Sequence, residues 1–199
     1  MTNTEQTTIE YYNQRSEQFT STTVDLEFSD IQDRFLKYLP EGSLILDYGC
    51  GAGRDSRYFI QKGYSVEAID GSAEMVRIAS KTAGIPVKQM LFGDLEETEK
   101  YDGIWACASI LHVPFAQMAD IYVRMHRALK ENGILYVSYK YGDFEGLRNS
   151  RYFTDFTEEK FAAFLKTVPA LTVLEQWVSG DARPGRSEEK WLNVILRKG

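Results

Sequence analysis

An apolar run, Leu44-Ile45-Leu46, leads into Asp47-Tyr48-Gly49-Cys50-Gly51-Ala52-Gly53, which sets an acid and three glycines where a buried strand turns into a helix. Glycine has no Cβ, so such a turn takes left-handed backbone angles and lets a ligand approach the main chain closely. Asp47 puts a carboxylate at the C-terminal end of the strand. After a second apolar run, 66–69, comes Asp70, 23 positions beyond Asp47. A carboxylate at that separation accepts hydrogen bonds from both ribose hydroxyls of an adenosine held over the first turn. One glycine turn is often purely structural. Its conjunction with Asp70, and with Asp94 after a third strand, points to a nucleotide-like ligand.

Apolar runs and helical spacings alternate around this turn. Ile9, Tyr12 and Phe19 mark an opening helix, and Phe28, Ile31, Phe35 and Leu39 recur at helical spacing up to Pro40, so two helices precede the sheet. Strand 44–48, helix 54–62, strand 65–69, helix 73–83, strands 87–92 and 102–108, and helix 115–130 follow. Gly84 and Pro86 punctuate the end of the helix at 73–83. Strands alternating with helices imply right-handed crossovers and a parallel sheet. Farther on, 133–140 reads as a strand, and Thr157 caps a helix that carries Glu158 and Glu159 in its first turn. Strands 171–179 and 190–197, joined by a short polar link, must be antiparallel.

With 199 residues and 43% apolar side chains, the chain suits one domain with one good core. No apolar run approaches the ~20 residues that span a bilayer, and the start lacks a basic-then-apolar leader, so a cytoplasmic location without a membrane partner is expected. Cys50 and Cys107 are expected as reduced, mostly buried thiols. A net charge of −6 argues against a nucleic-acid footprint, which needs clustered Lys and Arg.

The dinucleotide fingerprint G-x-G-x-x-G is not completed, because its third glycine would fall on Arg54 or on Ser56. The complete pattern is D-x-G-x-G-x-G, over Asp47 to Gly53. It resembles the first motif of class I S-adenosylmethionine-dependent methyltransferases. Asp70-Gly71-Ser72-Ala73-Glu74-Met75 resembles their second motif, Phe92-Gly93-Asp94-Leu95 their third, and Tyr101-Asp102-Gly103-Ile104-Trp105-Ala106 their fourth. The likeness spans about residues 44 to 140 and is broadest to the small, single-domain bacterial type, tellurite-resistance-like enzymes among them. It implies an α/β fold: a three-layer αβα sandwich with a Rossmann-like, seven-stranded, mostly parallel sheet and one antiparallel strand near the edge. It also implies one methyltransferase domain over 1–199, divided into a helical lid (1–40), a cofactor-binding core (41–140), and substrate-side loops with C-terminal antiparallel strands (141–199).

The resemblance further implies the cofactor, S-adenosyl-L-methionine, with S-adenosyl-L-homocysteine as product. Gly49, Gly51 and Gly53 would close round its methionine portion, with Asp47 near the ammonium group, and Asp70 would hold the ribose. Met75 and Gly71 would cover the adenine, Asp94 would accept from its amino group, and the Leu95 N–H would reach a ring nitrogen. Backbone carbonyls at Ala106, Cys107 and Ala108 would meet the ammonium, and Tyr11, Tyr12 and Arg15 would fold over as part of the lid.

Methyl transfer is an in-line displacement from a positively charged sulfur, so positioning supplies most of the rate and no metal is required. Two histidines without a clustered ligand pattern agree with a metal-free reading. Loops leaving the strand ends wall the site. They carry His112, the candidate base, although a histidine after a strand often only bonds the loop backbone. They also carry Arg148, Arg151, Arg183 and Arg186, whose planar forks suit an acidic small-molecule acceptor, with Tyr139, Tyr141 and Tyr152 as further contacts. Those arginines equally suit pairing with Asp143, Glu145 and Asp181. His126, at the border of an apolar helical stripe, reads as surface. Two other functions would leave the same motifs: a methyltransferase acting on RNA or protein, and a non-enzymatic S-adenosylmethionine-binding protein. The chain is expected as a monomer or homodimer, with Trp177 and Trp191 as candidates for a dimer edge.

Overall fold

The computed structural model describes residues 3–186 and 188–199; residues 1 and 2 of the expected lid and Ser187 of the polar link lie outside them. Seven strands form one sheet: β1 (Leu44–Tyr48), β2 (Ser65–Asp70), β3 (Val87–Gln89), β4 (Tyr101–Ala106), β5 (Leu129–Lys140), β8 (Leu171–Gly180) and β9 (Lys190–Lys198). Their spatial order is β3-β2-β1-β4-β5-β9-β8, parallel from β3 to β5. β9 alone runs antiparallel to both its neighbours. The short link between β8 and β9 forces that reversal, as the sequence implied.

Helices α3 (Ser29–Leu36), α4 (Arg54–Gln61) and α5 (Ala73–Ala83) cover one face of the sheet, and α6 (Phe115–Ala128) and α7 (Glu158–Leu165) cover the other. Strands between two helical layers are buried on both sides, and each face takes every second residue. In β5, Leu135, Val137 and Tyr139 pack toward α6 and α7, whereas Ile134 and Tyr136 join Phe35, Phe59 and Trp105 on the opposite side. Trp105 stacks on Tyr136 with ring centroids 3.9 Å apart. Both expected caps are present: Gly84 ends α5 at φ +71°, and Thr157 Oγ1 accepts from the Lys160 N–H at the start of α7.

Several expectations change. The opening helix is two helices, α1 (Asn3–Gln14) and α2 (Ser16–Thr23), bent at Arg15, where φ is −120°. The bend sets Phe19 over Gly51, in the turn after β1, and Ile9 over Gly71, in the turn after β2, and three helices precede the sheet. β3 is three residues long, because the chain curls into a 3₁₀ turn at Phe92–Asp94. The segment read as a loop at 141–153 contains a hairpin, β6 (Glu145–Arg148) and β7 (Arg151–Thr154). Its connection is Asn149-Ser150, both at positive φ, the geometry of a two-residue type I′ turn. Trp177 and Trp191 are partly buried against the core; Arg34 lies over the Trp177 ring, and Trp191 donates to Asp181 beneath Lys140. His126, read as surface, is partly buried, with its Nε2 shielded from solvent. No described helix is long and apolar enough to cross a membrane.

Candidate functional site

The sheet changes winding direction between β1 and β4, and outside the C-terminal ends of the strands there lies a cavity of about 920 Å³. Its floor is the glycine turn. Gly49 sits at φ +88°, and a Cβ there would stand 2.5 Å from the Ser109 side chain, so no other residue fits. Asp70, at the end of β2, accepts from the Gly51 N–H at 2.9 Å and the Ser72 N–H at 2.8 Å. Burial outweighs these bonds and pushes its carboxyl up to about 6.

α1 and α2 roof this end. Ile9 lies within 3.2 Å of where a Gly71 Cβ would be, and Phe19 within 3.4 Å of the equivalent point at Gly51. Asn13 accepts from Ser72 Oγ, Thr8 Oγ1 accepts from the Tyr152 N–H, and Tyr12 bonds His112 at 2.9 Å. On its other side, His112 Nδ1 meets the Tyr152 carbonyl at 2.6 Å. A carbonyl only accepts, so Nδ1 carries the proton and Nε2 accepts from the Tyr12 hydroxyl. Burial, helped by the Arg151 charge, pushes the His112 ring down to about 4 and keeps it neutral at pH 7.

The far wall is charged. Arg148 pairs with Asp155 at 2.8 Å, Arg183 with Asp181, Arg186 with Glu189, and Lys140 with both Asp181 and Glu189. The expectation of loop arginines paired with loop acids holds for these three arginines, with Asp155 and Glu189 among the partners in place of Asp143 and Glu145.

Residues 45–133, from β1 into β5, match the profile of the family described as methyltransferase domain. Over that stretch, 45% of the chain's length, the chain is similar to a methyltransferase domain. The chain is 32% identical over 119 residues to malonyl-[acyl-carrier protein] O-methyltransferase of Pectobacterium atrosepticum, covering 54% of this chain and 45% of that protein. The chain spans about half the length of the curated relatives it matches. Among solved structures, 1,6-didemethyltoxoflavin-N1-methyltransferase of Burkholderia thailandensis superposes with a TM-score of 0.81 at 18% identity, covering 100% of this chain and 91% of that one. A TehB-like methyltransferase of Corynebacterium glutamicum superposes at 0.67 and 19% identity, covering 96% and 98%. At such identities these two matches establish the fold.

Of the residues expected from the sequence, Gly49, Gly51, Asp70, Gly71, Met75 and Cys107 line the cavity, as does Tyr12 from the roof. Other expected residues stand elsewhere. Asp47 is 2% exposed and accepts from Ser56 Oγ at 2.6 Å, so it holds the start of α4 and does not face the ligand space. Burial, reinforced by Asp55, raises its carboxyl well above the usual range. Gly53 caps α4 at φ +83° against the Ala79 backbone. Asp94 is exposed, and the Leu95 N–H is taken by the Phe92 carbonyl, because the 3₁₀ turn folds both away from the wall. Arg15 is exposed at the bend, against Tyr11. Tyr139 is fully buried and bonded to Tyr122, a consequence of β5 alternation, and Tyr152 gives its hydroxyl to Glu145.

Sequence reasoning missed Arg54 and Asp55, which line the cavity as an ion pair at 2.8 Å. Asp55 also accepts from Gln32 and from Trp105 Nε1. Their position directly after the third glycine was the available signal. Ser138 lies on the cavity face of β5 and fixes the β4 exit by accepting from the Ala108 N–H, where φ is +50°.

Proposed function

We propose that the chain binds S-adenosylmethionine over the Gly49-to-Gly53 turn and Asp70, and transfers its methyl group to a small-molecule acceptor held on the His112 side of the same cavity. The supporting observation is continuity: one cavity of about 920 Å³ joins Gly51 and Asp70 to His112, Arg151 and Arg183. That volume lies in the range of sites that engulf a drug-sized ligand.

The residues present fit the cofactor. Each Asp70 oxygen accepts one backbone N–H and keeps a lone pair for a ribose hydroxyl. Gly51 and Gly71 leave the wall open where a side chain would fill it, and Met75 offers an apolar surface. With Asp47 turned inward, the backbone carbonyls at 106–108 are left as the partners of the ammonium group.

When bound, the cofactor supplies an electrophilic methyl group on a positively charged sulfur. The chain supplies position and dryness. α1 and α2, the lid of this reading, roof the cavity with Ile9, Tyr12 and Phe19 and exclude water. Neutral His112 holds the Tyr12 proton at Nε2 while its Nδ1–H is fixed by the Tyr152 carbonyl, so an acceptor proton passes to this pair through the Tyr12 oxygen. The acceptor is acidic in this reading, recognised by a cationic side chain that lines the cavity.

Thermal unfolding with S-adenosylhomocysteine, S-adenosylmethionine and NAD added separately tests the proposal. A ligand at ~100 times its dissociation constant adds about 2.7 kcal/mol, which raises the midpoint of a domain of this size by roughly 5 to 10 °C. A rise with both adenosyl ligands and none with NAD is expected. No rise with either adenosyl ligand, in protein freed of co-purified cofactor, overturns the reading.

A further inference from the structure

Arg151 stands apart from the other cavity arginines. Arg54, Arg148, Arg183 and Arg186 each pair with a carboxylate, whereas Arg151 makes no ion pair among the described residues. Its guanidinium lies against aromatic faces instead, 4.4 Å from the Tyr11 ring centroid and 5.1 Å from that of Phe153. Its Nη1 reaches the Tyr12 hydroxyl at 3.4 Å, and its Nε is buried with no hydrogen-bond partner. A charged donor left without an acceptor in a buried site costs free energy that a complementary anion recovers.

The placement is built by the fold. The Asn149-Ser150 turn makes Arg148 and Arg151 a cross-strand pair at the end of the hairpin, and both line the cavity. Asp155 claims Arg148. Arg151 is left beside Tyr12 and His112, where proton transfer is proposed.

We infer that Arg151 anchors the methyl acceptor through a carboxylate on that acceptor, with its Nε and Nη groups as the donor fork, and that Arg148, Arg183 and Arg186 hold the wall. The inference rests on the methyltransferase reading for the identity of the ligand as an acceptor. A planar fork meeting a planar carboxylate gives two parallel charge-assisted bonds, which a neutral amide of the same shape cannot reproduce.

The test compares acetate, benzoate and phenylacetate with their amides by ligand-observed NMR, on protein with and without S-adenosylhomocysteine. At least one carboxylate should bind wild-type protein tenfold more tightly than its amide, about 1.4 kcal/mol. Arg151→Gln should abolish that preference while S-adenosylhomocysteine still raises its unfolding midpoint. Arg151→Lys, which keeps the charge and loses the fork, should restore part of it, and Arg148→Gln should keep it. The proposal is overturned if no carboxylate is preferred by the wild type, a result that needs no variant to fold. It is also overturned if the preference survives in Arg151→Gln or disappears in Arg148→Gln. The S-adenosylhomocysteine arm reads the cofactor assignment separately: a carboxylate preference without any response to that ligand leaves an anion site and removes the acceptor role.

Discussion

Asp70 shows how one carboxyl links burial to ligand binding. Burial at the end of β2 raises it to about 6 before any ligand arrives, although two backbone N–H groups bond it. Ligand hydroxyls favour the ionised form, so binding should lower that value and release a proton. S-adenosylhomocysteine is therefore expected to bind more tightly as pH rises through about 6, by up to tenfold per pH unit below it. Asp70→Asn should flatten this dependence and weaken binding tenfold to a hundredfold, on the order of one or two hydrogen bonds to a charged group. Isothermal titration in two buffers of different ionisation enthalpy reads both the affinity and the proton. A pH-independent constant would remove Asp70 from the ribose role.

At the scale of elements, the β6–β7 hairpin decides which cations face the cavity, and its connection is under strain. Ser150 occupies φ +61°, a left-handed conformation that costs a non-glycine residue about 1 kcal/mol. Two-residue turns of this geometry favore Asn-Gly, and Asn149 already provides the first half. Ser150→Gly should raise the thermal midpoint by roughly 2 to 4 °C for a domain of this size. Differential scanning calorimetry reads it, and an unchanged or lower midpoint would mean that the Ser150 side chain contributes more than the strain costs. The bent α1–α2 pair belongs to the same scale. Its hydrogen bonds to Ser72, His112 and Tyr152 tie the roof to the second strand's turn, the 3₁₀ turn after β4 and the hairpin.

Across the whole molecule, stability follows titrations of opposite sign. His112 has a folded value of about 4, below its unfolded value of about 6.5, so its stabilisation is present above pH 6.5 and is lost as pH falls through 4. Asp181 acts in the same direction at lower pH: despite its burial, Arg183 and Trp191 hold it well below the usual carboxylate range. Asp70 and Asp47 are raised by burial, so what they contribute is present at low pH and is lost as pH rises. Between pH 6.5 and 4 acidification favours folding through Asp47 and Asp70 and disfavours it through His112, so the urea midpoint of the wild type should rise modestly as the solution is acidified. Asp70→Asn should reduce that rise, and His112→Gln should steepen it. The same slope in all three proteins would contradict the burial of these groups.

What the sequence determined is what local period and local chemistry encode. Alternating apolar runs and helical spacings specify strands between two helical layers, and the link between β8 and β9 reverses one strand. The glycines after β1 and Asp70 after β2 mark the cofactor end, because both lie on turns built from neighbouring residues. Tertiary structure decided what depends on which distant groups meet. Asp47 turned inward because Ser56, on the next helix, donates to it. Tyr139 went to the core because β5 is covered on both faces. Tyr12 and His112 meet across 100 positions, and Asp155 lies beside Arg148, which leaves Arg151 without an ion pair among the described residues. No spacing rule reaches that far: period identifies a buried face, while the partner of a charge on a loop is fixed only when the chain has closed around it.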